Sequence, residues 1–147
     1  DEGGVVRAAL ADRVLGDNDA RLRLEGAIHP LVRVAVRDWL LTVADKSVAV
    51  VEAALLVETG TYRLYDVLVV VWCGHQQQLD RALARGVPAE RAYRLISAQF
   101  PIADKRALAD AVVDNSGGLD DLEREVDRAW STVHRLCAAR STRPRSS

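Results

Sequence analysis

Arg81 and Arg85 stand four residues apart in the run 78–86 (QLDRALARG), so a helix there presents both from one face. Phosphoryl transfer concentrates negative charge, and guanidinium forks stabilise such charge bidentately. The same spacing suits a solvated helix face with Asp80 and Glu90 as casual partners, since charge pairs on helices are common and weak.

Other residues pose similar alternatives. His29 precedes Pro30 inside an apolar helical stretch, where an imidazole is often a capping or core group satisfied by a backbone carbonyl. Glu58 closes an apolar run and could be a helix-capping or solvated carboxylate. Lys105 and Arg106 could contact phosphate or form a solvated face. Cys73 with His75, and His134 with Cys137, could each supply two metal ligands. Neither pair has the spacing of a four-ligand structural zinc site, so no metal site is expected. No Gly-x-Ser-x-Gly elbow exists, so a nucleophilic triad has no support.

These groups need a scaffold. Residues 5–15 (VVRAALADRVL) read as a short helix. Asp17 or Asn18 can cap a second, long helix carrying Leu22, Ile28, Leu31, Val32, Val36 and Trp39 at helical spacing. Pro30 is expected to kink or interrupt it, because proline removes an amide donor and crowds the preceding turn. Residues 47–57 (SVAVVEAALLV) read as a strand beginning near Ser47, and the Val-rich run 66–72 (DVLVVVW) as a strand covered on both faces. Helices are expected from about 75 to 84, ended by Gly86, from Pro88 to about 97, and from Pro101 to about 108. Residues 110–113 read as a short strand before the turn cluster 114–118 (DNSGG). Leu119, Leu122, Val126, Trp130, Val133 and Cys137 then line one face of a final helix, and the basic tail 138–147 is expected to be disordered. Helices alternating with buried strands argue for a parallel α/β sheet. Three strands are few for one.

Composition narrows the classes. The chain has 147 residues, enough for one domain with a core, with 49% apolar and 28% charged residues. A net charge of −1 gives no global field toward nucleic acid or an anionic membrane, so neither is an expected partner. No apolar run is long enough to span a bilayer, and no basic leader precedes an apolar stretch. Two cysteines without an export signal suit a reducing, cytoplasmic setting. Oligomeric state is not legible. The chain contains no Met and starts at Asp1, so it is expected to begin inside a longer one.

Several segments, in order, resemble the dephospho-coenzyme A kinase family. Residues 21–33 (RLRLEGAIHPLVR) are similar to its helix with the His-Pro step, and 55–60 (LLVETG) to its Leu-Leu-aromatic-Glu segment. Residues 78–86 resemble the Arg-x-x-x-Arg run that opens its lid, 98–110 (AQFPIADKRALAD) the end of that lid, and 112–117 (VVDNSG) its final strand and loop. Together they cover roughly residues 5–130. The resemblance implies a partial P-loop kinase fold: a parallel sheet flanked by helices with a helical lid insertion at about 82–108, inside a domain spanning 1–137. It implies ATP-dependent phosphorylation of the 3'-hydroxyl of dephospho-CoA, the last step of coenzyme A biosynthesis, with Mg²⁺ accompanying ATP.

By the same resemblance Arg81 is the catalytic residue. His29, Pro30, Arg33, Leu55, Leu56 and Glu58 lie on the substrate side. Arg81, Arg85, Asn115, Ser116 and Gly117 contact the nucleotide, with the adenine near 115–117, where short residues let backbone approach a planar base. Arg33 could meet the substrate's phosphates, and no residue is expected to hold a metal.

The departures are specific. Ala54 stands where the family usually has Pro, Trp72-Cys73-Gly74-His75 where an acidic or small residue followed by Pro is common, and Leu95 where Arg is frequent. A P-loop needs a glycine-rich turn ending in Gly-Lys-Ser or Gly-Lys-Thr, yet neither Lys46 nor Lys105 follows a glycine. The phosphate loop and the family's acidic base are therefore expected upstream of Asp1, and this chain alone is expected to be inactive. The alternative is a non-catalytic, truncated module that binds coenzyme A or nucleotide.

Overall fold

The computed structural model describes residues 9–10, 13–14, 17–43 and 47–141, with side chains to residue 139. The chain divides into two compact units, residues 1–53 and 54–147.

In the first unit, helix α1 runs Asn18–Leu40. Asp17 sits just before it in an extended conformation, and its Oδ1 accepts from the Ala20 amide at 2.9 Å. That bond satisfies one of the four amides that a helix start leaves free. It also holds the Asp17 carboxyl below its ordinary pKa. Asp19 in the first turn and Arg37 in the last complement the helix dipole.

Pro30 lies inside α1 without ending it, so the expected interruption does not occur. Proline's fixed φ is already helical, and only the bond to the carbonyl four residues back is lost, at a cost of about 3 kcal/mol. Many other backbone bonds hold the helix across that gap. Residues 9–10 and 13–14 are helical, and the rest of the helix expected at 5–15 lies outside the described residues.

The second unit is built on two parallel strands, β1 (Val69–Trp72) and β2 (Ala111–Asp114), in the register Val69↔Ala111 through Trp72↔Asp114. Parallel neighbours need a long crossover. Here it contains α2 (His75–Ala84), α3 (Ala89–Ser97) and α4 (Ile102–Leu108), and α5 (Leu119–Ser141) follows β2. Gly86, at φ 81°, closes α2, with Val87 N–H donating to the Ala82 carbonyl at 3.1 Å. A left-handed residue there favours glycine. Pro88 and Pro101 stand immediately before α3 and α4.

Side chains alternate across the sheet. Val70 is buried with Leu68 and Val57, and Tyr62, Ile102 and Ala109 pack against them. Ala111 and Val113 face the other way, against Ala129 and Leu122 of α5. Val69 and Val71 share that second face by register, but α5 packs on β2, and both valines stay exposed. The expectation of a strand covered on both faces is thus met at Val70 and not at its neighbours.

Three further readings change. No strand forms at 47–57: residues 47–53 carry no regular structure and 54–60 are turns. A strand needs a ladder partner. Here the backbone bonds close locally instead, Thr59 N–H to the Leu55 carbonyl and Gly60 N–H to the Val57 carbonyl, with a 3₁₀ turn at Thr61–Leu64. The described sheet therefore has two strands, not three. Finally, α5 continues to Ser141, so 138–141 belong to a helix rather than to a disordered tail; 142–147 lie outside the described residues.

Candidate functional site

The carboxyl ends of β1 and β2 lie side by side, because Trp72 pairs with Asp114. Asn115 N–H donates to the Trp72 carbonyl at 2.7 Å, so the loop after β2 is tied to the end of β1. Gln77, in the first turns of α2, donates from Nε2 to the Ser116 carbonyl at 2.9 Å. Ser116 N–H donates to Asp114 Oδ1 at 2.9 Å. Bonds from the Ser116 hydroxyl and amide, aided by the Arg106 charge, hold the Asp114 carboxyl below its ordinary pKa. In open α/β sheets, ligands bind beyond the strand carboxyl ends. Asn115, Ser116 and Gly117 form that rim.

Gly117 has a local reason to be glycine. A Cβ there would come within 2.5 Å of Asp121 Oδ2 and 2.8 Å of Asp121 Cβ. Asp121 Oδ2 accepts from the Gly118 amide at 3.1 Å, at the start of α5. The missing side chain therefore lets the Asp121 carboxylate fold back over the turn.

The second cluster was not legible as such. Glu58 Oε1 lies 2.6 Å from Lys105 Nζ, and the two side chains are only 13% and 9% exposed. Lys105 also donates to the Ala54 carbonyl and to Gln99 Oε1, each at 3.0 Å, so its three ammonium protons all have acceptors. Glu58 Oε1 accepts the Phe100 amide at 3.0 Å. Burial alone would raise the Glu58 carboxyl, but the Lys105 hydrogen bond and the backbone amides bring it below its ordinary value. Lys105 is thus neither a solvated cation nor free to meet phosphate. Leu55 and Leu56 are half-buried in the same turn, and their carbonyls accept from Thr59 and Tyr62.

Arg81 lies in the last turn of α2 and Arg85 caps its end. The casual partners considered for them are engaged elsewhere: Asp80 accepts from Gln76, and Glu90 pairs with Arg94. Among the described residues neither Arg81 nor Arg85 has an ion pair or side-chain hydrogen bond, so both guanidiniums are available. In the other unit, His29, Pro30 and Arg33 lie along α1. Pro30 and Arg33 line a groove of about 320 Å³ with Val34 and Arg37. A second groove, of about 430 Å³, runs along α5 past Leu119, Leu122 and Val126 and includes no candidate residue.

Sequence reasoning missed Gln77, Gln99 and the stacking of Arg106 on Trp72, whose guanidinium carbon is 4.8 Å from the ring centroid. Lone glutamines carry no spacing signal, and the Arg106–Trp72 contact spans two elements. Among the described residues no group of three His, Cys, Asp or Glu could hold a metal ion. No helix of the described residues is long and apolar enough to cross a membrane.

Comparison with known proteins converges on one family. The family model for dephospho-CoA kinase matches residues 1–121. The chain is similar to a dephospho-CoA kinase of Frankia casuarinae, 37% identical over 132 residues, covering 90% of this chain and 58% of that protein. It is 33% identical over 135 residues to one of Aquifex aeolicus (92% and 69%) and 44% identical over 128 residues to one of Rhodopseudomonas palustris strain BisB18 (84% and 64%). The chain thus spans between 58% and 69% of the length of these relatives.

Proposed function

Because the chain belongs to the dephospho-CoA kinase family, we propose that the protein carrying it phosphorylates the 3'-hydroxyl of dephospho-CoA with ATP. The hydroxyl oxygen bonds to the γ-phosphorus, the β–γ bridging bond breaks, the hydroxyl proton is lost and ADP leaves. The observation that carries the reading in the geometry is the joined carboxyl rim of β1 and β2, where Asn115 is tied to Trp72 and Ser116 to Gln77. A rim so braced can hold a planar base against backbone. Short residues at 115–117 suit an adenine.

Arg81 and Arg85, free of partners among the described residues, would supply charge to the transferring phosphoryl group and the leaving ADP. His29, Pro30 and Arg33, with Leu55 and Leu56, would serve the dephospho-CoA side; Glu58, whose carboxylate is held by Lys105 and the Phe100 amide, is given no ligand contact. Mg²⁺ would accompany ATP and neutralise its phosphates. The described residues include no cluster of three metal-ligating side chains, so no step above passes through it. Two cysteines in 147 residues and no long apolar helix among the described residues fit a cytoplasmic reaction.

The test is direct. The protein carrying this sequence, given dephospho-CoA and Mg-ATP, should form coenzyme A and ADP one for one. Hydrolysis of ATP without formation of coenzyme A would reject the assignment.

A second reading has one observation behind it: the chain holds no Gly-Lys-Ser or Gly-Lys-Thr run. On that reading it binds coenzyme A or nucleotide without turnover. Calorimetric titration with coenzyme A, showing binding in a protein that makes no product, would favour it.

A further inference from the structure

Within the lid expected at 82–108, the helices pack on two different supports. Helix α3 packs on α2, whereas α4 packs on β1, with Ile102 against the core around Val70. The break between them is residues 98–101, and a cluster of four contacts built on Glu58 and Lys105 reaches it at Phe100 and Gln99. Glu58 Oε1 accepts the Phe100 amide at 3.0 Å and lies 2.6 Å from Lys105 Nζ. Lys105 in turn holds Gln99 Oε1 and the Ala54 carbonyl, each at 3.0 Å. Lys105 is the one buried charged residue among those described.

A buried ion pair is seldom needed for stability alone, because an apolar pair of similar volume often serves as well. What this pair adds is direction: it fixes one backbone amide in a connecting segment.

We propose that Glu58 is a positioning residue which, through Phe100 and Lys105, pins 98–101 to the body of the unit, so that the lid ends there and α4 moves with the sheet. The proposal rests on the kinase reading only for what the lid does. ATP closes the part upstream of the pin, and the pin sets where that part returns. Loosening it lowers the population of the closed, competent state, and apparent affinity falls by the same factor.

The test uses the paired replacement Glu58→Leu with Lys105→Met, which removes both charges and leaves neither alone. Hydrogen exchange and steady-state kinetics are measured on the protein carrying this sequence. Exchange within 98–101 should accelerate at least tenfold while β1 and β2 keep wild-type protection. KM for ATP should rise at least fivefold with kcat changed less than twofold. Should that pair fail to fold, Glu58→Asp, which shortens the arm, should accelerate exchange at the same residues. Wild-type exchange at 98–101 in the folded variant would overturn the proposal, as would acceleration spread evenly over the strands or an unchanged KM in an active enzyme. A protein with no kinase activity but with the local change at 98–101 would reject the function and keep the pin.

Discussion

The Glu58 carboxylate lies 2.6 Å from the Lys105 amine, joining the turn at 54–60 to α4 in a site where both side chains are nearly out of solvent. Two segments far apart in sequence are thereby locked at one point. The bond has consequences for acid stability, because only the ionised carboxylate makes it.

Glu58 has a folded pKa below its ordinary value. The sign follows: the stabilisation is fully present above the unfolded value, about 4.5, and is lost as pH falls through the lower folded value. Thermal unfolding followed by circular dichroism should show the midpoint of the wild-type chain dropping below about pH 4.5. Glu58→Gln should flatten that drop. At neutral pH, Glu58→Gln leaves the Lys105 ammonium buried without its counter-charge and should cost about 3 kcal/mol. Equal acid sensitivity in wild type and variant would show that the pair contributes nothing there.

Gly117 should tolerate no side chain. The Cβ of Gly117→Ala would meet the Asp121 carboxylate and Cβ, neither of which is the far end of a long flexible arm. Overpacking of this kind costs about 1–3 kcal/mol. Urea unfolding should register that loss for Gly117→Ala and almost none for Gly74→Ala, since nothing lies within 4 Å of a Cβ at Gly74 and its φ is −61°. Equal losses at both glycines would refute the steric account.

Local chemistry was the legible part. Val69 to Trp72 and Ala111 to Asp114 are strands because β-branched residues crowd both, and the helices between them follow Gly86, Pro88 and Pro101. What the sequence hid were properties of pairs. The apolar run at 47–57 has strand composition, but strands exist by pairing, and no partner stands beside it among the described residues. Lys105 sits among polar and small residues, in a context that suggests a solvated side chain. Its burial depends on Glu58, Gln99 and Ala54 arriving from elsewhere. The interruption expected at Pro30 did not occur, since a helix of 23 residues carries one missing bond. Of the candidate site, spacing alone left the arginines at 81 and 85 open against a solvated face, the family resemblance nominated them and the loop 115–117, and the bonds of Asn115 and Ser116 to Trp72 and Gln77 were not legible.

Arg81 and Arg85 should separate by their effect on turnover. Arg81 lies in the last turn of α2 and Arg85 caps its end, and among the described residues neither has an ion pair or side-chain hydrogen bond, so truncation should leave folding intact. A guanidinium acting on transition-state charge in phosphoryl transfer is worth about 10³-fold or more. Arg81→Met should lower kcat by about that factor and Arg85→Met by roughly tenfold, with melting midpoints close to wild type, as befits side chains outside the buried core. If Arg81→Met kept near-full turnover, the residue would have no part in the chemistry.

Arg33 offers the complementary test on the substrate side. It is exposed on α1 and lines a groove with Pro30, Val34 and Arg37. Arg37 is already hydrogen-bonded to Asp38 through Nε and Nη2, which leaves Arg33 as the groove cation better placed to receive an anionic ligand. A guanidinium that binds phosphate in ground and transition states alike contributes uniform binding, and its loss appears in KM and not in kcat. Arg33→Ala should therefore raise KM for dephospho-CoA about tenfold and leave KM for ATP and kcat near wild type. His29→Ala should move the same constant in the same direction, by less, because an imidazole offers one hydrogen-bond contact at a time where a guanidinium offers a bidentate fork. Steady-state kinetics with each substrate varied in turn decides it. A rise in KM for ATP, or a fall in kcat with KM for dephospho-CoA unchanged, would remove α1 from the substrate side of the site.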